Sequence, residues 1–323
     1  MMDIFHKSKE RLQKSIKEIG VKETFKKGLS GLLFELLLQE MSNRRLDKSF
    51  RKCYYSPFFR EIDFHALNLE GSGGLWLNPL DEGFSKEFFL YGFREPLNTY
   101  FIYHNVRGHK VLDIGSNLGY FPIIELNAGA KQVIAMEPVP MTFRFLKRNL
   151  APYNSKVVII NAAISNRNGN LELFIPRKFN LASAIHTTDS IFKRIQCPAY
   201  SLSTIAEQYD FDTLRMDIEG FEYEVLIEGI PENIKYIFME LHDSLGLKKT
   251  QRLLLFLEKQ GFIAKYSIRE IPLKFYPFIK NLNLQNAFSI LRTFNQTTVE
   301  SNIMLSEIAQ MQLHLRHLIL ERI

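Results

Sequence analysis

The chain has little cysteine, little tryptophan and no long apolar run. Its 323 residues include two cysteines, Cys53 and Cys197, and one tryptophan. Two distant cysteines form no Cys-x-x-Cys metal or redox motif and are too few for a disulfide framework. This composition argues against a disulfide-stapled secreted domain and suits a reducing compartment. We therefore predict a cytoplasmic protein.

Long apolar segments are missing as well. The most apolar stretch, GLSGLLFELLLQEM (28–41), is interrupted by Glu35. A membrane-spanning helix needs about 20 consecutive apolar residues, so this stretch is too short to cross a bilayer. The first fourteen residues mix charged side chains with no apolar region behind them. We therefore expect no signal peptide.

Positive charge is concentrated at one end of the chain. The formal net charge is +6, yet residues 1–60 alone hold fourteen Lys and Arg against seven Asp and Glu. The rest of the chain is close to neutral. Residues 1–60 are predicted as a basic helical arm. One interpretation is a helix packed on the domain; the other is an amphipathic arm that contacts an acidic partner or the inner face of an anionic membrane.

Strands and helices alternate from Lys110 onward. Short apolar runs such as KVLDIG and QVIAMEP are separated by helical segments such as FPIIELNAGA. Strands that are apolar on both faces predict a mostly parallel sheet covered by helices on both sides. The predicted organisation is a helical arm (1–60), a β-hairpin with a lead-in (61–95), an α/β catalytic domain (96–272) and a helical extension (273–323).

The C-terminal segment SNIMLSEIAQMQLHLRHLIL (301–320) is predicted as one helix. Its residues Met304, Ile308, Met311, Leu315 and Leu318 follow a heptad-like spacing. Such a stripe either docks on its own domain or forms a homodimer contact. Two heptads are too few to separate these alternatives.

The first strand and turn, VLDIGSNLGYF (111–121), lack the phosphate-binding glycine patterns. The pattern here is G-x-N-x-G, whereas a dinucleotide site has G-x-G-x-x-G. Asp113 precedes the turn, and a carboxylate suits an ammonium or sulfonium group better than a phosphate. Glu137 ends the second strand, where an acid can accept both ribose hydroxyls. Together Asp113, Gly115, Gly119 and Glu137 predict a site for S-adenosylmethionine; the alternative is a structural turn with a surface glutamate.

These motifs resemble those of the FkbM family of class I methyltransferases. The residues that carry the resemblance are DIGSNLG, MEP and RMDIEGFE, with FREP, NAAIS, NLASA and ELH around them. The resemblance spans roughly residues 62–267. It departs from the family pattern at Ser116, which replaces alanine, and at Arg215, which replaces lysine.

The resemblance implies a Rossmann-like class I sheet and a set of cofactor-binding residues. It also implies methyl transfer to a hydroxyl of a glycan, glycolipid or secondary metabolite. Alternatives are a nucleic-acid methyltransferase tethered by the basic arm, which the near-neutral body makes unlikely, and a non-catalytic cofactor-binding scaffold. The predicted cofactor-binding residues are Asp113, Gly115, Ser116, Asn117, Gly119, Glu137, Pro138, Ala163 and Asp217.

Carboxylates crowd the end of the fourth strand, in LRMDIEGFEYEVLIEG (214–229). A hydroxyl acceptor needs a general base near the methyl group, and Asp217 is the first candidate, with Glu219 and a neutral His242 as others. Hard oxygen ligands from Asp217, Glu219 and Glu240 would also suit magnesium. No spacing here distinguishes such a metal site from a metal-free one, and no metal is predicted. The predicted substrate-binding residues are Glu95, Asn180, Ser183, Glu222 and Glu240.

Overall fold

The fold is described by a computed structural model. It describes residues 75–77, 81, 84–85, 88, 94–176, 191–242, 245–270, 299–311 and 316–323. The basic arm (1–60), most of the predicted hairpin segment and residues 271–298 lie outside the described residues, as do Asn180 and Ser183. The predictions made for them therefore stay predictions.

Helices and strands follow one another closely in the described part of the chain. The helices are α1 (Pro96–Asn105), α2 (Tyr120–Ala128), α3 (Pro140–Asn149), α4 (Leu202–Gln208), α5 (Glu222–Leu226), α6 (Leu247–Lys259) and α7 (Leu305–Gln310). The strands are β1 (Lys110–Ile114), β2 (Gln132–Met136), β3 (Val157–Ile160), β4 (Ala163–Ser165), β5 (Gly169–Pro176), β6 (Ile191–Ser201), β7 (Thr213–Met216), β8 (Tyr236–Leu241), β9 (Phe262–Ile268), β10 (Val299–Ile303) and β11 (Arg316–Arg322).

Eight strands form the central sheet, in the order β10-β9-β11-β8-β7-β1-β2-β3. Strands β3, β2, β1, β7 and β8 run parallel to one another. Strand β11 is antiparallel to both β8 and β9, and β10 is antiparallel to β9. The predicted mostly parallel α/β sheet is confirmed. Its strand order reverses at β1, so the carboxyl ends of β1 and β7 border the crevice where ligands bind in such sheets.

Helices cover both faces of this sheet. Val111 in β1 packs into a core with apolar residues of α1, α2 and α3. The next residue, Leu112, packs into a second core with residues of α4, α5, α6 and α7. Successive side chains of a strand point to opposite faces, so a strand buried on both faces is apolar throughout. This explains why the alternation of apolar runs was readable from sequence.

The C-terminal prediction of one helix over 301–320 is wrong. This segment contains the end of β10, the short helix α7 and most of β11. The apolar run Leu318–Leu320 is fully buried between β8 and β9. A short apolar run fits a buried strand as well as a helix, and pairing with two neighbouring strands decided the outcome. Met304, Ile308 and Leu318 therefore share no helical stripe, and the predicted homodimer helix is not formed by them.

A second, three-stranded sheet has the order β4-β6-β5. The apolar run KVVIINAAI is divided between β3 in the large sheet and β4 in the small one. The break falls at Asn161, whose Nδ2 donates a hydrogen bond to the Glu137 carbonyl at 2.8 Å. Among the described residues, no helix has the length and apolar character needed to span a membrane.

Candidate active site

The turn between β1 and α2 brings the backbones of β1 and β7 into close contact. Gly115 has φ 79°, and a Cβ atom there would lie 2.1 Å from the Asp217 carbonyl oxygen. No side chain fits in that space, so only glycine allows this approach. Asn117 follows with φ 49°, a left-handed conformation that asparagine tolerates better than most residues. The turn thus leaves its backbone open to the crevice.

Glu137 is fixed beside this turn, at the carboxyl end of β2. Its Oε2 accepts a hydrogen bond from the Asn117 amide at 3.0 Å, and its Oε1 accepts one from the Val139 amide at 2.8 Å. Each carboxylate oxygen has a second lone pair for a ligand. Burial raises the pKa of Glu137 to about 7, against the lowering effect of these two amides.

A cavity of about 860 Å³, counting the space at its open mouth, lies next to Glu137. Apolar side chains missed by the sequence analysis form much of its wall, including Phe121, Ile164 and Phe221. Residues predicted for the cofactor that line the cavity are Gly115, Ser116, Asn117, Glu137, Pro138, Ala163 and Asp217.

Two predicted cofactor residues do not line this cavity. Asp113 is fully buried, and its Oδ1 accepts a hydrogen bond from Ser116 Oγ at 2.5 Å. Burial raises the pKa of Asp113, and also raises the pKa of the neighbouring buried Glu125. Asp113 is expected from the sequence to contact a cationic ligand. In the structure it instead supports the turn, through its hydrogen bond with Ser116. Gly119 precedes α2 with φ 94°, a conformation that favours glycine. Packing favours glycine there as well, because an added Cβ would lie 3.0 Å from Leu146 Cδ1.

Arg215, in β7, lines the cavity and contacts the turn that follows β1. Its Nη2 donates to Asp217 Oδ2 at 3.1 Å, and its Nη1 donates to the Gly115 carbonyl at 3.2 Å. Its guanidinium lies 4.2 Å from the centre of the Phe121 ring. Arg215 thus pairs with the acid two residues after it. The planar guanidinium makes these contacts simultaneously, which a lysine ammonium cannot do.

Four carboxylates surround the imidazole of His242 at the ends of β7 and β8. Its Nδ1 lies 3.1 Å from Glu222 Oε1. Its Nε2 lies 3.4 Å from Glu219 Oε2, 3.6 Å from Glu240 Oε2 and 3.7 Å from Asp217 Oδ1. Residues more than twenty positions apart in sequence thus form one carboxylate–histidine cluster.

The protonation state of His242 differs from the neutral one expected from the sequence. Although burial disfavours a charged ring, Glu222, Glu240 and Glu219 raise the pKa of His242 well above its usual range. Burial, followed by the Asp217 charge, raises the pKa of both Glu219 and Glu240 to about 8. The neutral His242 expected of a general base is therefore not its state at neutral pH in the ligand-free protein.

Glu222 supports the cluster from below. It is fully buried at the start of α5, and its Oε1 accepts hydrogen bonds from the Ile218 amide at 3.2 Å and the Gly220 amide at 3.4 Å. Glu222, predicted to bind substrate, does not line the cavity. Glu224 lies farther out and pairs with Lys249.

A second buried group adjoins Glu240. Glu95 has φ 42°, and its carboxylate accepts hydrogen bonds from Arg94 Nε at 2.8 Å and Asn98 Nδ2 at 3.0 Å. Burial opposes ionisation, yet Arg94 and His317 hold the pKa of Glu95 down at about 2. Glu95, predicted to bind substrate, does not line the large cavity, whereas Arg94 does. His317 reaches this region only because β11 is a strand of the sheet.

Comparisons with known proteins agree with this geometry. Residues 113–264 match the family model described as the methyltransferase FkbM domain. No curated protein matches the chain.

The solved structures that match the chain include three proteins described as methyltransferases or methylases, one of them provisionally. The matched region covers most of each of these proteins. Precorrin-6y C5,15-methyltransferase from Geobacter metallireducens has 12% identity and a TM-score of 0.38, with 70% of this chain and 84% of that chain covered. The ribosomal protein L11 methylase of Lactobacillus delbrueckii has 12% identity and a TM-score of 0.35, with 71% and 79% covered. A protein of Pyrococcus horikoshii, provisionally assigned as an RNA methyltransferase, has 12% identity and a TM-score of 0.36, with 70% and 80% covered. Likenesses this distant carry no information about the substrate.

Proposed function

Residues 113–264 form a methyltransferase FkbM domain, and on this premise we propose that the protein is an S-adenosylmethionine-dependent O-methyltransferase. Its proposed acceptor is a hydroxyl group of a glycan, glycolipid or secondary metabolite. One observation carries the proposal: a single cavity is lined by Glu137 and the Gly115 turn and also by Asp217 and Glu219.

Some of the residues that line the cavity fit the nucleoside part of the cofactor. Glu137 keeps a lone pair on each carboxylate oxygen for the two ribose hydroxyls. The apolar wall formed by Ile164, Leu171 and Phe221 suits an adenine ring. Glycine at position 115 lets a ligand approach the backbone closely. S-adenosylmethionine, when bound, supplies an electrophilic methyl group and carries the sulfonium charge, which the nearby Asp217 carboxylate stabilises.

Other residues that line the cavity, Asp217 and Glu219, suit an acceptor with a hydroxyl group. A hydroxyl oxygen attacks a methyl carbon well only as its proton leaves, so a carboxylate within hydrogen-bond reach assists the reaction. Glu219 lines the cavity, with a left-handed backbone at φ 54° that is followed by Gly220 at φ 95°. Its raised pKa of about 8 makes the ionised form a stronger base than an ordinary glutamate. Asp217 is already bonded to Arg215. We therefore assign proton removal to the ionised form of Glu219 and positioning of the acceptor to Asp217.

A labelling experiment tests the proposed acceptor class. Full-length protein is incubated with methyl-labelled S-adenosylmethionine and separate glycan, glycolipid, RNA, DNA and protein fractions. We expect label in the glycan, glycolipid or small-molecule fraction, and a Glu219→Gln variant that still binds cofactor but transfers at least tenfold more slowly. Label confined to RNA or DNA would show that the O-methylation proposal is wrong and favour the nucleic-acid alternative.

A further inference from the structure

Beside the acceptor end of the cavity, we propose a divalent-cation site formed by Asp217, Glu240 and Nε2 of His242. One ligand atom from each residue lies within 4.8 Å of the others. This spacing allows all three atoms to move onto one ion with small side-chain adjustments. The site itself depends only on these residues; its role in orienting the acceptor rests on the proposed function.

The orientation of His242 favours metal binding. Its Nδ1 lies 3.1 Å from Oε1 of the fully buried Glu222. Metal-binding histidines usually donate their other ring N–H to a carboxylate or carbonyl, which fixes the ring and leaves the free nitrogen facing the metal. Glu222 is fixed in turn by the amides of Ile218 and Gly220. The ring therefore presents Nε2 to the carboxylates of the cluster.

One buried atom of the cluster makes no hydrogen bond within the described part of the chain. This atom is Asp217 Oδ1, whose sister oxygen Oδ2 is bonded to Arg215. The side chain of His242 is only 9% exposed, and its Nε2 lies 3.4 Å from Glu219 Oε2 and 3.7 Å from Asp217 Oδ1. A buried polar atom without a hydrogen bond costs free energy, and a cation that replaces the Nε2 proton between Asp217 and His242 would satisfy Oδ1. It would also offset the repulsion among Asp217, Glu219 and Glu240.

A neighbouring group of residues is a weaker candidate. Glu95, Glu240 and His317 also place ligand atoms within 4.8 Å of one another. However, both carboxylate oxygens of Glu95 already accept hydrogen bonds, from Arg94 and Asn98. The Nε2 of His317 lies 3.9 Å from Glu95. We therefore assign one ion to the Asp217–Glu240–His242 group and none to the group around Glu95.

The ligand set points to a class of ion. Two carboxylates and an imidazole form a mixed oxygen–nitrogen set, whereas magnesium and calcium prefer oxygen alone. Manganese(II) and similar transition ions accept both ligand types. An ion here would lie next to Glu219, where it can polarise the acceptor oxygen while Glu219 takes its proton.

The test uses manganese(II) alone with EDTA-treated full-length protein. We expect one ion per chain by calorimetric titration, with a nitrogen coupling in the pulsed electron paramagnetic resonance spectrum of the bound ion. His242→Gln should remove the nitrogen coupling, and Glu240→Gln should weaken binding at least tenfold. Glu222→Gln should weaken it about 10–100-fold, as expected for a residue that orients a ligand. Glu224→Gln, a change of the same type in α5 at a residue paired with Lys249, should bind manganese(II) like the wild type.

The outcomes separate this site from the proposed function. Absence of stoichiometric binding, or a bound ion without nitrogen coupling in the wild type, overturns the metal site whatever the variants do. Circular dichroism and S-adenosylmethionine titration of each variant show whether it is folded. Cofactor binding and methyl transfer that persist in EDTA-treated protein without manganese(II) binding overturn the metal site and leave the methyltransferase proposal standing. Manganese(II) binding without cofactor binding supports the metal site and contradicts the proposed function.

Discussion

Glu137 is the residue on which the proposed cofactor contact depends. It is 5% exposed, accepts two backbone hydrogen bonds and has its pKa raised by burial to about 7. Its ionisation therefore changes within the physiological pH range, unlike that of an ordinary surface glutamate. Hydrogen bonds from ribose hydroxyls favour the ionised form, so cofactor binding and deprotonation are linked.

We predict that S-adenosylmethionine affinity of the wild type falls as the pH drops through about 7, because Glu137 becomes protonated. Glu137→Gln should bind about 10–100-fold more weakly at pH 8, the loss expected for hydrogen bonds of about 1.5–3 kcal/mol to a charged group. Its affinity should vary little with pH. Calorimetric titration between pH 5.5 and 8.5 measures both effects, with the exposed Glu172→Gln as control. A wild-type affinity independent of pH would contradict the role of Glu137.

Gly115 is the second residue whose identity is set by structure. It combines a left-handed backbone with a missing Cβ that would otherwise lie 2.1 Å from the Asp217 carbonyl oxygen. Gly108 has a similar φ of 81° but no atom within 4 Å of an added Cβ. The two glycines therefore separate the cost of a left-handed backbone from the cost of a steric clash.

We predict that Gly108→Ala lowers the free energy of unfolding by only about 1–2 kcal/mol, the cost of a left-handed alanine. Gly115→Ala should cost more than that, because the strand contact must open, and it should also lower cofactor affinity at least tenfold. Denaturant unfolding and calorimetric titration provide the measurements. Equal stability losses in the two variants would show that the contact between Gly115 and Asp217 is not as close as described.

At the scale of elements, β11 links the parallel part of the sheet to β9 and β10. It lies between β8 and β9, so the chain must return from beyond residue 300 to complete the sheet. Its arrival brings His317 beside Glu95, at the edge of the candidate site. The C-terminal segment is therefore part of the central sheet, although its sequence suggested a separate helical extension.

We predict that Leu320→Ala lowers the free energy of unfolding by about 2–5 kcal/mol, the usual cost of emptying a buried leucine site. Leu320 is fully buried in β11, whereas Ile323 is 83% exposed three residues later. Ile323→Ala should change stability by no more than about 0.5 kcal/mol. Urea unfolding of both variants tests this, and similar values for the two would mean that β11 is not a core strand.

At the scale of the whole molecule, the sheet brings distant residues together at one edge. The carboxyl ends of β1, β2, β7 and β8 contribute Gly115, Glu137, Asp217 and His242 to one crevice and its border. Parallel strands all end on the same side, so residues that follow successive strands converge. This convergence explains why residues distant in sequence line one cavity.

The sequence by itself determined the alternation of strands and helices, the mostly parallel sheet and the turn that carries Gly115 and Asn117. Those features depend on local patterns: apolar runs, glycine at a tight turn and an acid at a strand end. Glu137 was predictable for the same reason, since the end of a strand can be read from a few neighbouring residues.

Only the tertiary structure decided which side chains meet. The strand identity of residues 316–322, the inward position of Asp113 and the contact of His242 with Glu222 all depend on residues distant in sequence. A short apolar run or a lone histidine has the same local pattern whether it lies in a helix, a core or a site. Burial and long-range pairing remove that ambiguity, because they set the charge, the partners and the accessible atoms of each side chain.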